Sequence, residues 1–404
     1  MKLDHRIIAR LSENKSHSKD ADLFRALDGS MLGRLVATTR IPALLLLATS
    51  MIASAAPVGR ADDLKTEYGF SRVTIDRRVV RLESLVIRRA DAQGRLPIAI
   101  FNHGRPGSMI EARDQRLAQP VFTHVLSDFA RRGWLAVAVA RRGYGLSDGP
   151  RQDHPGCKID SAMAWMNVDA DDIQAALEAI GKRPDADPTR MISLGVSAGG
   201  GASVALSARN RPGLVAAIDI DGGEHNENCA LTEQSIPLDF RTMGTASRVP
   251  NLWLFAKNDS LHPPAQVEIM RTAFSAGGGD VKLVEFDPIV SEGHVFSETI
   301  GGRRLWLPVM DEFLRAHNLP TWTDRDVDFM LGQLHLSPKA REFIANYLSR
   351  PTDKALARST QREFLADGFA MTMDAARKLA LDSCESKAPP CIIAMENEQV
   401  VPPH

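Results

Sequence analysis

The chain has 404 residues, more than the roughly 100 to 200 of one typical domain, so a targeting segment, one large domain and a smaller appendage is the expected organisation. Acidic and basic residues nearly cancel, at a net charge of -1, and no long single-sign block occurs. A nucleic-acid partner would call for a concentrated basic stripe, so none is expected.

The first feature along the chain is the apolar run IPALLLLATSMIASAA at 41–56, preceded by Arg34 and Arg40 and ending in Ala53-Ser54-Ala55. That order is the layout of a secretory signal peptide. The run falls short of the roughly 20 residues of a spanning helix, and Pro42, Thr49, Ser50 and Ser54 dilute it. Export to the periplasm or exterior of a bacterial cell follows, with no stable membrane span after cleavage; retained anchoring is the alternative. Residues 1–30 are polar and long for a leader, which makes Met31 a candidate start. We therefore set 1–56 apart from a large domain at 57–320 and a module at 321–404.

From about residue 66, strand-like runs alternate with helical patterns: RVVRLESLVIRR, LPIAIFNHG, WLAVAVARRG, MISLGVSAGG, LVAAIDIDGG, NLWLFAKND and VKLVEFD. Continuous apolar stretches such as IAIF and LAVAV suit strands buried on both faces, as in a mostly parallel, doubly wound sheet with helices on both sides. VDADDIQAALEAIGK places Val168, Ile173, Ala176, Leu177 and Ile180 on one helical face, with aspartates toward its N-terminus. Residues 303–317 read the same way.

After Pro320 the alternation stops. RDVDFMLGQLHLSPKAREFIANYL reads as helical and KALARS as a short strand, while Thr372 is a candidate N-cap for MDAARKLALDSC. CIIAMENEQVV reads as a hairpin turning at Glu396-Asn397. An α+β module results. Cys384 and Cys391 flank ESKAPP and are candidates for a disulfide, which an exported chain permits; free thiols are the alternative if it is not exported. Cys157 and Cys229 lie in the loops at 144–165 and 222–247, and their pairing is left open.

Gly195-Val196-Ser197-Ala198-Gly199 has the G-x-S-x-G form of a nucleophile elbow. Five residues recur by chance, so the setting carries the argument: strand-like MISLG precedes and helix-like GGASVALSARN follows. A Cβ at Gly195 or Gly199 would collide with a neighbouring strand or helix in so sharp a turn. A serine hydroxyl needs a histidine to take its proton and an acid to hold the imidazole. In the order serine, acid, histidine, Asp259 after NLWLFAKN and His294 in IVSEGHVF fill the two roles. Asp221 is the rival acid, and His103, His225 and His262 are the other histidines weighed.

A tetrahedral intermediate needs two donors for its oxyanion. The Ala198 N–H supplies one; the turn His103-Gly104-Arg105 supplies the other through the Arg105 N–H, because Pro106 has none. His225, Glu224, His262 and Asp259 lack any recognised metal spacing, and GGGASV lacks the lysine of a phosphate loop, so neither metal nor cofactor is called for.

Together HGRPG, ARRGYGLSDG, GVSAGG, FAKNDSLHPP and SEGHVF resemble a dienelactone hydrolase-like member of the α/β-hydrolase superfamily over about residues 70–316. The resemblance implies the α/β-hydrolase fold, Ser197, Asp259 and His294 as triad, and the turns at Arg105 and Ala198 as oxyanion hole. Dienelactone hydrolases proper carry cysteine at the elbow, so Ser197 argues against dienelactone activity itself. The C-terminal pattern resembles a cysteine-paired module of some bacterial secreted proteins, with a structural role implied and no partner named. The expected function is cleavage of a small ester or lactone through an acyl-serine; a peptidase with the same triad and a non-catalytic envelope-binding protein are the alternatives. The scaffold alone does not separate them.

Overall fold

The computed structural model describes residues 63–105, 114, 116–151, 161–224 and 230–402. The apolar run at 41–56, Met31, His225, Cys157 and Cys229 lie outside them. The described residues form one compact unit.

Two long strands open it, β1 (Leu64–Ile75) and β2 (Arg78–Arg89), joined with Ile75 opposite Arg78. Asp76 and Arg77 both take positive φ, 50° and 63°, the geometry of the two-residue turn whose twist matches its strands. The chain continues through β3 (Leu96–Asn102), α1 (Pro120–Arg131), β4 (Leu135–Val139), α2 (Ala162–Ile180), β5 (Ala186–Val196), α3 (Ala198–Ser207), β6 (Leu214–Ile220), α4 (Ala230–Ala246), β7 (Asn251–Ala256), α5 (Pro264–Ala276), β8 (Val281–Phe286) and α6 (Ile300–Ala316). The eight strands are ordered β1-β2-β4-β3-β5-β6-β7-β8. From β4 to β8 neighbours are parallel, while β1 and β2 form an antiparallel flank.

The buried runs feed two cores. In β4, Leu135, Val137 and Val139 enter the core under α2, α3, α4 and α5. Ala136 and Ala138 enter the opposite one, with Phe122 and Phe129 of α1 and Trp306, Leu307 and Met310 of α6. The result is the expected three-layer α/β arrangement with helices on both faces. α2 starts six residues before Val168 because Ser161 caps it, its hydroxyl accepting from the Ala164 N–H at 3.2 Å. α4 occupies much of 222–247 and sends Ile236, Phe240 and Met243 into the first core, so this stretch covers the sheet.

The C-terminal part contains α7 (Asp324–Gln333), α8 (Arg341–Ser349), β9 (Lys354–Ser359), β10 (Leu365–Phe369), α9 (Met373–Glu385), β11 (Cys391–Glu396) and β12 (Gln399–Val400). The stretch that reads as one helical pattern is thus two helices, parted where His335 turns to φ 52° and Pro338 follows. The sheet runs β10-β9-β11-β12. Leu356 of β9 faces Trp322, Ile344 and Tyr347; Ala355 and Ala357 face Ala376 and Ala380 of α9. Thr372 caps α9, and Cys384 and Cys391 are bonded.

Buried ions fasten this part to the large sheet's α1 and α6. Asp128 accepts from Arg303 at 2.6 Å through one oxygen and from the Thr352 N–H at 2.8 Å through the other. Glu398, at the tip of the β11-β12 turn, pairs with Arg131 and Lys354, each at 2.8 Å. Burial alone would raise its carboxyl, but the two cations hold it down at about 2. Among the described residues no helix is long and apolar enough to cross a membrane.

Because the folded Glu398 titrates below its ordinary 4.5, its stabilising contribution is full above that value and is lost as pH falls toward 2. Glu398→Gln, which leaves two buried cations without their carboxylate, should cost about 3 to 5 kcal/mol at neutral pH and flatten the acid limb of a denaturation-versus-pH series; an unchanged urea midpoint would sink this assignment. Replacing Cys384 and Cys391 together by alanine should cost roughly 2 to 3 kcal/mol, the closure entropy of so short a loop, and is read in the same urea titration.

Candidate active site

The site is built on the strand-to-helix turn between β5 and α3. Ser197 sits in it at φ 56° and ψ -127°, a backbone conformation that costs a side-chain-bearing residue free energy and persists only where its surroundings enforce it. They do so by contact. A Cβ on Gly195 would lie 2.3 Å from the Gly199 carbonyl oxygen, and one on Gly199 would lie 2.2 Å from that of Asn102. Below, the Asn102 side-chain amide donates to the Ser193 and Ser203 hydroxyls at 2.9 and 3.0 Å, tying β3, β5 and α3 together. The Ser197 N–H donates to the Ile220 carbonyl at 2.9 Å. The hydroxyl is therefore held up from the end of the sheet.

Asp259 lies three residues beyond β7. One carboxylate oxygen accepts from the Leu261 and His262 N–H groups at 2.8 and 3.0 Å; the other lies 2.9 Å from His294 Nδ1. Burial works to raise its carboxyl, but the hydrogen bond and charge of His294 and the His262 N–H outweigh burial and hold it below the usual aspartate value. An ionised carboxylate only accepts, so Nδ1 carries the imidazole proton and Nε2 presents a lone pair. Nε2 is 3.0 Å from Ser197 Oγ.

His294 follows β8 in a short 3-10 turn, Gly293–Glu298. Glu292 secures it by accepting from the His294 N–H at 3.0 Å and from the Ser260 N–H at 3.1 Å. The same carboxylate thus bridges the loop of the acid and the loop of the histidine. Asp259 is fully enclosed, whereas the His294 side chain retains 15% exposure, so the relay is dry at its base and open at its tip.

The other candidates take supporting places. Asp221 accepts from the Ala256 N–H at 3.0 Å; burial, with the nearby Asp259 charge, raises its carboxyl well above the ordinary value. Asp219, buried against the glycines that open α3, is raised the same way. The His262 ring is buried 5.8 Å from that of His294. His103 shapes its turn: burial first, then Arg141, keep its imidazole neutral. Its Nε2 accepts from the Arg141 N–H at 3.1 Å, so its Nδ1–H donates to the Gly104 carbonyl at 2.7 Å.

That last bond bears on the proposed oxyanion donors. The Gly104 carbonyl and the Arg105 N–H belong to one planar peptide and point in opposite directions, so fixing the carbonyl fixes the N–H. The turn lies against the serine, since a Cβ on Gly104 would come within 3.0 Å of Ser197 Cβ and 3.6 Å of its Oγ. Ala198 is the first residue of α3, where backbone N–H groups have no partner within the helix. The helix terminus adds its partial positive charge there.

Residues without a sequence motif complete the surroundings. The Arg105 guanidinium forks onto Glu224 at 2.9 and 3.1 Å and lies over the Trp165 ring. Asp169 of α2 sits 3.6 Å from Arg105 and 3.1 Å from Arg141. Arg142 is anchored on Asp172 at 2.7 Å. Sequence reading passed over Asp169, and weighed Glu224 only as a metal ligand. Among the described residues no group of side chains is arranged to hold a metal ion.

No family model matches the chain, and no curated protein does. Solved structures are similar to it. A protein from Klebsiella pneumoniae subsp. pneumoniae described as a dienelactone hydrolase is 19% identical, over 58% of this chain and 90% of its own, with a TM-score of 0.42. An esterase from Pyrococcus furiosus is 13% identical over 62% and 91%, at 0.45. The acylaminoacyl peptidase of Pyrococcus horikoshii is 17% identical over 65% of this chain and 42% of its own, at 0.46. The topology of this chain, with Ser197 between β5 and α3 and Asp259 and His294 after β7 and β8, is that of the α/β-hydrolase fold.

Proposed function

We propose that this chain is a serine hydrolase that cleaves a carboxylic ester or lactone through an acyl-serine. The observation that carries the reading is the unbroken relay from Ser197 Oγ to His294 Nε2 at 3.0 Å and from His294 Nδ1 to Asp259 at 2.9 Å. Ser197 Oγ attacks the ester carbonyl while its proton passes to His294 Nε2, and Asp259 stabilises the imidazolium without taking the proton. The carbonyl oxygen, now negative, receives the Ala198 and Arg105 N–H groups. Collapse expels the alkoxide, which leaves with the proton from Nε2. Water then repeats the sequence on the acyl-serine, losing its proton to His294, and the acid departs as Ser197 regains its hydrogen.

A largely apolar depression of about 460 Å³, lined by Ile236, Pro237, Leu261, Pro263 and Ile269, adjoins the loop that follows Asp259. Export to an oxidising compartment belongs to the same proposal; the Cys384–Cys391 bond supports it.

Fluorophosphonate labelling of the mature protein, with peptide mapping, should place the adduct on Ser197 and find none in Ser197→Ala. A folded wild type that takes no label would turn the reading toward the non-catalytic alternative. Asp259→Asn, which removes the acceptor that fixes the imidazole tautomer, should lower kcat on p-nitrophenyl acetate by about 10³- to 10⁴-fold. A panel of short-chain aryl esters against aminoacyl amides should show strong ester preference; equal or greater amide cleavage would make the chain a peptidase.

A further inference from the structure

Glu224 lies just beyond β6, one of the most enclosed charges in the molecule, with its side chain at 0% exposure. Neither the relay nor the elbow uses it. Its two oxygens are both engaged by one partner, the Arg105 guanidinium, in a two-bond fork, the most geometrically restrictive ion pair available to a carboxylate. Arg105 is not a surface residue that happens to be nearby. It is the residue whose backbone N–H the proposed mechanism assigns to the oxyanion.

We propose that Glu224 is a positioning residue of the oxyanion hole, acting through the Arg105 side chain to hold the Gly104-Arg105 peptide at the angle the transition state requires. Three observations converge on that peptide. Its carbonyl end is held by the His103 imidazole at 2.7 Å. The preceding carbonyl, of His103, accepts from Arg141 at 2.6 Å. Its far end is the Arg105 side chain, gripped by Glu224, steadied by Asp169 and seated on Trp165. Without Glu224, the Arg105 side chain would keep only the longer contacts to Asp169 at 3.6 Å and to the Trp165 ring, a looser hold on the N–H than the two-bond fork.

The charges support this arrangement over direct substrate binding. Arg105 and Arg141 are met by Glu224 and Asp169, so the cluster is neutral as a set and offers no net attraction to an anionic substrate. A rigid, self-compensated cluster is what preorganisation needs: the donor is aimed beforehand and no reorganisation accompanies charge development.

The inference rests on the ester-hydrolase reading, and the experiment separates the two. Steady-state kinetics on p-nitrophenyl acetate and inhibition by benzeneboronic acid, which forms a tetrahedral adduct on a reactive serine, are measured for wild type, Glu224→Gln, Glu224→Ala, Arg105→Ala and the double alanine variant. Arg105→Ala keeps the backbone N–H and loses only the tether. Misplacing one donor should lower kcat by about 10- to 100-fold in Glu224→Ala, with KM within about twofold. The boronate inhibition constant should rise in step with the loss of kcat/KM. Glu224→Gln, which keeps one bond of the fork, should fall in between, and the double variant should be no worse than the poorer single one. Thermal midpoints establish that the variants are folded, and the isosteric Gln variant carries the test if the alanine ones are not. Unchanged kcat in folded variants overturns the inference while leaving the hydrolase reading intact. So does a rise in KM at constant kcat, which would make Arg105 a substrate contact. A folded wild type with no esterase activity overturns both.

Discussion

The geometry of this site is referred to a single backbone strain, the positive φ of Ser197. A serine in that conformation is unstable by itself and is kept there by close contact of three backbones: the end of β5, the first turn of α3 and the end of β3. Gly195 and Gly199 make room for that contact, and Asn102 with Ser193 and Ser203 pins it from beneath. The stability of the whole parallel sheet is thereby applied to one hydroxyl. A loop could not hold such strain, because a loop would relax.

Around that point the protein uses carboxylates as fasteners. Glu292 spans the loops of Asp259 and His294, Asp259 orients the imidazole, Asp221 fastens the end of β7, and Glu224 grips the Arg105 side chain. Asp221 and Glu224 follow β6, Asp259 follows β7 and Glu292 follows β8, so the parallel topology gathers the acceptors at one end of the sheet and burial makes their bonds restrictive. Asp259 and Asp221 show how environment sorts like residues. They end neighbouring segments, yet Asp259 is held ionised by its donors and Asp221 is driven toward the neutral form by burial.

The parts readable in the sequence were those whose physics is local. Doubly buried strands print as apolar runs, the elbow prints as glycines at fixed spacing, and Thr372 prints as a cap. What escaped lacked a local imprint. β1 is largely exposed, so it has no apolar run, and its turn uses Asp76-Arg77 where the pattern for such turns asks for Asn-Gly. β10 is LADGF, short and carrying two residues that usually break strands. The Arg105–Glu224 fork joins residues 119 apart, a pairing that only the folded topology creates. The meeting of Asp259 and His294 beside Ser197 was within reach because chain order supplied a long-range constraint that the ion pairs do not have.

Glu398 has an implication for how such a chain can be divided. A hairpin tip is ordinarily the most expendable place in a fold, yet here it enters α1's surroundings as the counter-charge of Arg131, while Thr352 completes Asp128. The hydrolase sheet and its C-terminal module therefore do not behave as beads on a string. A catalytic cassette cut at residue 320 would carry Asp128, Arg131 and Arg303 on a newly bared face, deprived of partners supplied much later in the chain. Recombination between relatives of this protein would have to exchange both parts together, or rewrite those three charges at the same time.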